Sequence, residues 1–288
     1  EMLIDFASLP PTPELGRKPN KHMSNYDRIY ESGLERTGVK SDTPPSIAEY
    51  MDIYDKAGID HVVIRGKDSE ATVGLKVENQ AVSDFCRNNS PRFIGLAGID
   101  PHKGMDAVRD LEFAVKELGL RGAVVSGFEA RLQINDKRYY PIYAKCVELG
   151  IPVNIHSGMS FSSTSWMGYG RPIDLDEVLV HFPELVAIAS VPGFPWVQEL
   201  VGVAWRHKNL CIATNALRPK YLMTPHSGYE ILLQYGRTIL QDQIIFGSNW
   251  PILEVQRSMD EIRSSPLPEN VQKKWLGENA ARILKLDL

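Results

Sequence analysis

No apolar stretch in this sequence approaches the roughly 20 residues that cross a bilayer, so a helical membrane span is excluded. Basic charge is not in excess. The chain has 32 Lys and Arg against 36 Asp and Glu, a net charge of -4, which argues against nucleic-acid binding and a polybasic membrane contact. Cysteine is scarce: Cys86, Cys146 and Cys211 are odd in number and form no CxxC, so no disulfide framework is expected. They suit buried positions in a reducing compartment. Asp5 interrupts the first apolar stretch, which is not a signal-peptide pattern, and a cytoplasmic location is the expectation. No GxGxxG follows a strand-like run, and no GxSxG elbow is present.

What is present is an alternation of short apolar runs and amphipathic stretches. The strand-like runs are Leu3–Phe6, His61–Ile64, Phe93–Ile99, Gly122–Val125, Val153–Ile155, Val186–Ala189, Leu210–Ala213 and Ile244–Phe246. They are apolar on both faces, as expected of parallel strands covered by helices. Helices are expected over Ser46–Ala57, Gly104–Leu118, Pro141–Leu149, Asp174–His181, Pro195–Arg206 and Pro268–Leu284. Ser46 followed by Glu49 reads as a capping box, and Gly58, Gly119 and Gly150 read as C-terminal stops. Repeated strand-then-helix units with right-handed crossovers predict an α/β fold, a closed (β/α)8 TIM barrel filling residues 1–288 as one domain. A doubly wound open sheet is the alternative, disfavoured by the missing glycine fingerprint.

Two segments exceed a simple barrel. Residues 9–43 carry Pro10, Pro11, Pro13 and Pro19, then Tyr26, Arg28, Tyr30 and Arg36. Residues 157–173 are rich in Ser and Gly, with Trp166, Tyr169 and Arg171. Both follow strands, so both are expected on the face where barrel active sites form.

Several segments resemble the amidohydrolase-related family that contains aromatic-acid decarboxylases and related hydrolases. Gly193-Phe194-Pro195-Trp196 matches its helix start after the sixth strand, and Asn209–Thr214 its seventh strand. Phe246-Gly247-Ser248-Asn249-Trp250-Pro251 matches its eighth strand, and Gly277–Leu284 its C-terminal helix. Ile4-Asp5-Phe6 with Pro10-Pro11 is similar to a closer subgroup. The resemblance implies metal ligands at four places. The His-x-His of the first strand falls on Phe6 and Ser8, and the fifth-strand histidine on His156. The sixth-strand histidine falls on Val191 and the eighth-strand aspartate on Asn249. Only His156 remains, and zinc needs three or four protein ligands. A metal-free centre with no cofactor is therefore expected.

The remaining candidates are weighed one by one. His156, at a strand end, suits a neutral-pH acid or base, or is a leftover hydrogen-bonded histidine. Asp5 is a base or, as readily, a buried carboxylate orienting its neighbours. Ser248 and Asn249 are read as catalytic donors to a substrate oxygen, and Ser8 as a donor or nucleophile. Arg65, Lys67, Arg171, Arg218 and Lys220 make a carboxylate site if two converge, and are otherwise solvated charges. Trp250 is the leading aromatic for a planar ligand; Trp166, Tyr26 and Tyr169 are weaker, and Trp196 reads as packing. His61, His102, His181 and His207 read as structural.

Two readings of function follow. The first is a metal-independent enzyme, a hydrolase or carboxy-lyase acting on a small carboxylated molecule. The resemblance supplies that class, which includes lactone hydrolases that work without metal through the eighth-strand carboxylate, here Asn249. The second is a non-catalytic barrel that binds a small molecule. Self-association is left open; nucleic-acid and membrane partners are not expected.

Overall fold

The computed structural model describes residues 1–16, 18–26, 28, 29 and 44–287. Eight strands form one parallel sheet in the order β1 (Ile4–Ser8), β2 (His61–Arg65), β5 (Phe93–Gly98), β6 (Ala123–Val125), β7 (Val153–His156), β8 (Ala187–Ser190), β9 (Leu210–Ala213) and β10 (Ile244–Ile245). The sheet closes on itself. Phe6 N donates to Phe246 O at 3.0 Å, and Leu9 N to Trp250 O at 2.9 Å. The predicted barrel is therefore the observed one, and each strand-like run overlaps an observed strand. A small antiparallel hairpin, β3 (Lys67–Ser69) with β4 (Leu75–Val77), sits beyond β2.

Strand alternation divides the core in two. Ile4, Phe6, Val63, Ile94, Leu96, Ile188, Cys211, Ala213 and Ile245 fill the lumen. Val62, Ile64, Val153, Ile155, Ala187, Ala189 and Ile212 face the helices. Side chains two residues apart share a face, so these layers assign every strand residue to one side or the other.

The helix over Ile47–Ala57 shows how local chemistry sets its ends. Ser46 Oγ accepts from Glu49 N at 3.2 Å while Ser46 N donates to Glu49 Oε2 at 2.7 Å. Gly58 stops it at φ 67°, a left-handed conformation open to glycine. The other expected helices appear within a few residues of their predicted bounds, with one difference. The C-terminal stretch is Glu269–Lys273, a π turn over Lys274–Glu278, then Asn279–Leu284. Helices over Asn79–Asn89, Glu230–Gly236 and Val255–Arg263, and the β3–β4 hairpin, escape the sequence reading. The first of them buries only Val82, Ser83 and Phe85, so its apolar stripe is thin. No described helix is long and apolar enough to cross a membrane.

Candidate functional site

The strand C-terminal ends open on one mouth, and Arg65 crosses it. Arg65 ends β2 two residues beyond lumen-facing Val63, so it too points inward. Its Nη1 donates to Ser190 Oγ at 3.1 Å, and its Nη2 to Asn249 Oδ1 at 2.6 Å. Ser190 ends β8, across the barrel from β2, and its hydroxyl also accepts from Asn215 Nδ2 at 2.8 Å. Asn249 sits at φ 55°, a left-handed conformation that asparagine tolerates better than most side chains. Both partners of Arg65 are neutral, so its charge is only fastened, not cancelled. Burial pulls its pKa down to about 10, partly offset by the fields of Asp5 and Glu129.

Beside it stands a second charged group. Lys67 Nζ donates to Glu129 Oε1 at 2.5 Å, and Ser69 Oγ to Glu129 Oε2 at 3.0 Å. Glu129 is buried in the helical turn Gly127–Ala130 that follows β6. Burial pushes its carboxyl pKa up, but Lys67, Ser69 and His22 together carry it below the usual value, so it is ionised. The hairpin reaches this position because β5 ends in Gly98. A Cβ there would lie 2.2 Å from Lys67 N.

His156 ends β7 on the lumen side, level with Ser190 of β8. Its ring meets Phe128 edge-on at 4.6 Å. Burial drives its pKa down to about 4 against the pull of Glu129, so the ring is neutral at neutral pH. The sequence expectation of a histidine titrating near neutrality is corrected by this burial. Its Nδ1 is buried without a hydrogen-bond partner, as are Ser126 Oγ, Asn154 Oδ1 and Asn215 Oδ1. Asn154 is level with lumen residues Val124 and Ile188. Unpaired buried polar atoms are rare and costly; here Ser126, His156 and Asn215 stand at or just past the ends of β6, β7 and β9, with Asn154 deeper in the lumen.

Four expected site residues lie elsewhere. Asp5 is level with Val62 and Ser8 with Ile64, both on the helix-facing side, and a register shift between them keeps Ser8 there. Asp5 Oδ1 accepts from Ser248 N at 2.7 Å and Oδ2 from Ser248 Oγ at 2.5 Å. Ser8 Oγ meets the hydroxyls of Tyr50 and Tyr54, each at 2.6 Å. Trp250 is 2 % exposed and packs on Tyr50 with ring centroids 5.0 Å apart. Asp5, Ser8, Ser248 and Trp250 thus form a buried network behind the barrel wall, not a ring around the mouth.

Of the predicted cations, Arg65 points into the mouth and pairs with no carboxylate among the described residues, while Lys220 Nζ lies over the Tyr221 ring, 5.0 Å from its centroid. Arg171 is tied to Glu199 at 3.1 Å, and Arg218 to Glu261 at 2.7 Å. Trp166 is exposed and packs edge-on against Tyr169. Tyr30 and Arg36 lie outside the described residues. Glu129, Ser190, Asn215 and Asn154 were missed. Glu129 had a signal, a lone carboxylate just past the run Gly122–Val125.

The donors available to a metal are few. Among the described residues no three His, Cys, Asp or Glu side chains gather closely enough to hold an ion. Phe6, in the lumen, and Val191, past the end of β8, offer no donor atom, and Ser8 faces the tyrosines. The Asn249 oxygen already accepts from a guanidinium.

Comparison with known proteins agrees with this fold. The chain is 22% identical over 245 residues to gamma-resorcylate decarboxylase of Rhizobium radiobacter, covering 73% of this chain and 75% of that one. It is also 22% identical over 237 residues to 2-amino-3-carboxymuconate-6-semialdehyde decarboxylase of Dictyostelium discoideum, covering 73% and 66%. An uncharacterized TIM-barrel protein from Bordetella bronchiseptica superposes with a TM-score of 0.81 at 24% identity, over 99% of each chain. A dihydroxybenzoic acid decarboxylase from Polaromonas, solved with manganese and 2-nitroresorcinol, gives 0.70 at 18% identity over 99% of this chain and 97% of that one. A family model described as amidohydrolase matches residues 26–286, and the chain belongs to that family.

Proposed function

We propose that this chain is an enzyme acting on a small carboxylated molecule, a carboxy-lyase before a hydrolase, and that it works without a metal in the barrel. One observation carries the reading. Arg65 spans the mouth with a half-buried guanidinium held, among the described residues, by the neutral Ser190 and Asn249. A fork of that kind pairs with a carboxylate through two parallel hydrogen bonds. The decarboxylase relatives support the choice of lyase. The donor set supports the absence of metal: four of the five positions matched to ligands offer no side-chain donor or one already engaged, and a fixed cation stands beside Asn249.

Roles follow from charge. Arg65 takes the anionic group on binding, and favours the negative charge that passes into the substrate as CO2 departs. The carbon that loses CO2 keeps the electron pair and must take a proton. The Lys67 ammonium, hydrogen-bonded to Glu129, is the proton source we assign, and Glu129 holds it in place. His156, neutral, supplies a hydrogen bond rather than a charge. A second reading, a non-catalytic binder, is favoured by Phe6 standing at a ligand position of the lumen.

The test is turnover of a panel of aromatic carboxylic acids and lactones, with chelator and with added manganese or zinc. The expected result is turnover that survives chelation and falls about 10²-fold in Arg65→Gln, as for loss of one oxyanion donor. Turnover that vanishes on chelation, with one tightly held ion per chain, would refute the metal-free part. Binding of the acids without turnover under every condition would establish the second reading.

A further inference from the structure

At the opposite end of the barrel from the mouth lies a hollow that the roles above leave unused. His61 begins β2 and Arg65 ends it, so four strand steps, about 13 Å, separate this end from the mouth. The hollow has a volume of about 440 Å³, within the range of about 300–1,000 Å³ typical of ligand pockets. Phe93 and Ile94 at the start of β5 line it, with Leu118, Leu120 and Leu286, and with Cys86 of the helix Asn79–Asn89. Gly119 turns the chain here at φ 72°, a conformation open to glycine, and nothing lies within 4 Å of where its Cβ would stand.

The charges on this apolar lining have one sign. Among the described residues, His61, Arg87 and Arg121 line the hollow and no Asp or Glu does, in a chain whose net charge is -4. Arg87 Nη2 donates to Glu117 O at 2.9 Å, and Arg121 Nη1 to Leu284 O at 3.4 Å. Both acceptors are main-chain carbonyls, so neither guanidinium is neutralised and each keeps most of its donors for an outside acceptor. Other arginines of the chain find carboxylates, as Arg138 does with Asp136 and Arg206 with Asp176. A neighbouring hollow shares His61 and Pro91 with this one, and its two acids are already engaged. Asp55 pairs with Arg92 at 2.7 Å, and Asp60 accepts from Leu3 N at 2.7 Å. Arg92 Nη1 there is buried and has no partner. Solvated arginines need no apolar concavity between them; an anion with an apolar body matches both features at once.

We propose that this hollow is a second binding site, for a small apolar anion whose body lies on Ile94, Leu118 and Leu120 and whose carboxylate or sulfonate is held between Arg87 and Arg121. The face of a barrel that carries its chemistry is the other one, so the occupant is an effector and not a substrate. The inference stands apart from the carboxylate reading of Arg65.

Calorimetric titration of the whole protein with naphthalene sulfonate, and with the neutral naphthalene methanol, tests this. Both are run in wild type and in Arg65→Gln, which takes the mouth out of competition. The sulfonate should bind about tenfold tighter than the alcohol, and should do so in Arg65→Gln as well. Adding Arg87→Gln and Arg121→Gln to the Arg65→Gln protein should bring the sulfonate down to the level of the alcohol. Both arginines are exposed, so the fold should persist, and the thermal midpoint checks it. Cys86 reports the location. It is half-buried in the lining, whereas Cys146 and Cys211 are buried, so bound sulfonate should slow its labelling by N-ethylmaleimide. Sulfonate binding that survives loss of both arginines, or that leaves Cys86 labelling unchanged, overturns the inference, as does no binding at all in Arg65→Gln. Binding seen in wild type and lost in Arg65→Gln alone puts the anion in the mouth, which overturns the second site and supports the Arg65 reading.

Discussion

Replacing Asp5 by Asn should make the protein more stable at alkaline pH and less stable at acid pH. Asp5 is wholly buried between β1 and the turn after β10. Burial raises its pKa from 3.8 to about 6, although hydrogen bonds from Ser248 and Ala7 pull the other way. A raised folded pKa means that the folded state holds the proton more tightly than the unfolded one. The stability contributed by the protonated group is fully present below about pH 4. It is lost as pH rises through about 6 and stays lost above. A shift of about 2 units is about 3 kcal/mol. Asparagine is neutral throughout and avoids that loss. It has its own cost, because Ser248 Oγ now donates to Asp5 Oδ2 and already accepts from Trp250 N at 3.0 Å. An amide nitrogen facing that hydroxyl leaves its proton without an acceptor, a loss of about 1 kcal/mol. The variant should thus be about 2 kcal/mol more stable than wild type near pH 8 and about 1 kcal/mol less stable near pH 4. Urea denaturation of both proteins in steps across that range measures the difference, in which the other titrating groups cancel. A variant destabilised equally at both ends would refute the burial argument. Loss of turnover with an intact fold would return Asp5 to the mouth as a base.

Ser8→Ala should lower stability by about 2 kcal/mol in urea, because Tyr50 and Tyr54 lose the oxygen their hydroxyls meet, and should leave acid binding unchanged. Binding that disappears while the fold persists would place Ser8 in the mouth. Gly98→Ala drives a Cβ to 2.2 Å from Lys67 N, a backbone atom, so the thermal midpoint and turnover should both fall. No change in either would show that the hairpin does not depend on that approach. Added zinc or manganese should leave the urea midpoint where it is. An ion held at 100 times its dissociation constant would add about 2.7 kcal/mol, and a rise of that size would contradict a mouth without metal ligands.

Much of the architecture is legible in the chain because it depends on local rules. Short runs apolar on both faces, such as Val186–Ala189, suit strands covered on both sides, and their alternation with capped helices such as Ile47–Ala57 leaves few closed topologies. That Phe6 and Val191, positions the resemblance matches to metal ligands, bring no side-chain donor atom is legible too. What the tertiary structure decided is the side to which each polar residue turns and the company it keeps. Asp5 precedes lumen-facing Phe6 and Ser8 lies two residues beyond it, but alternation turns Asp5 toward the helix layer and one register shift turns Ser8 there. Arg65, Arg171 and Arg218 look alike as letters. Two find carboxylates of their own chain, and only Arg65 finds neutral partners across the barrel, because closure brings residues 65, 190 and 249 within reach of one another. The titration of His156 was likewise open until packing was known, since burial is a property of neighbours brought from distant parts of the chain and not of the histidine itself.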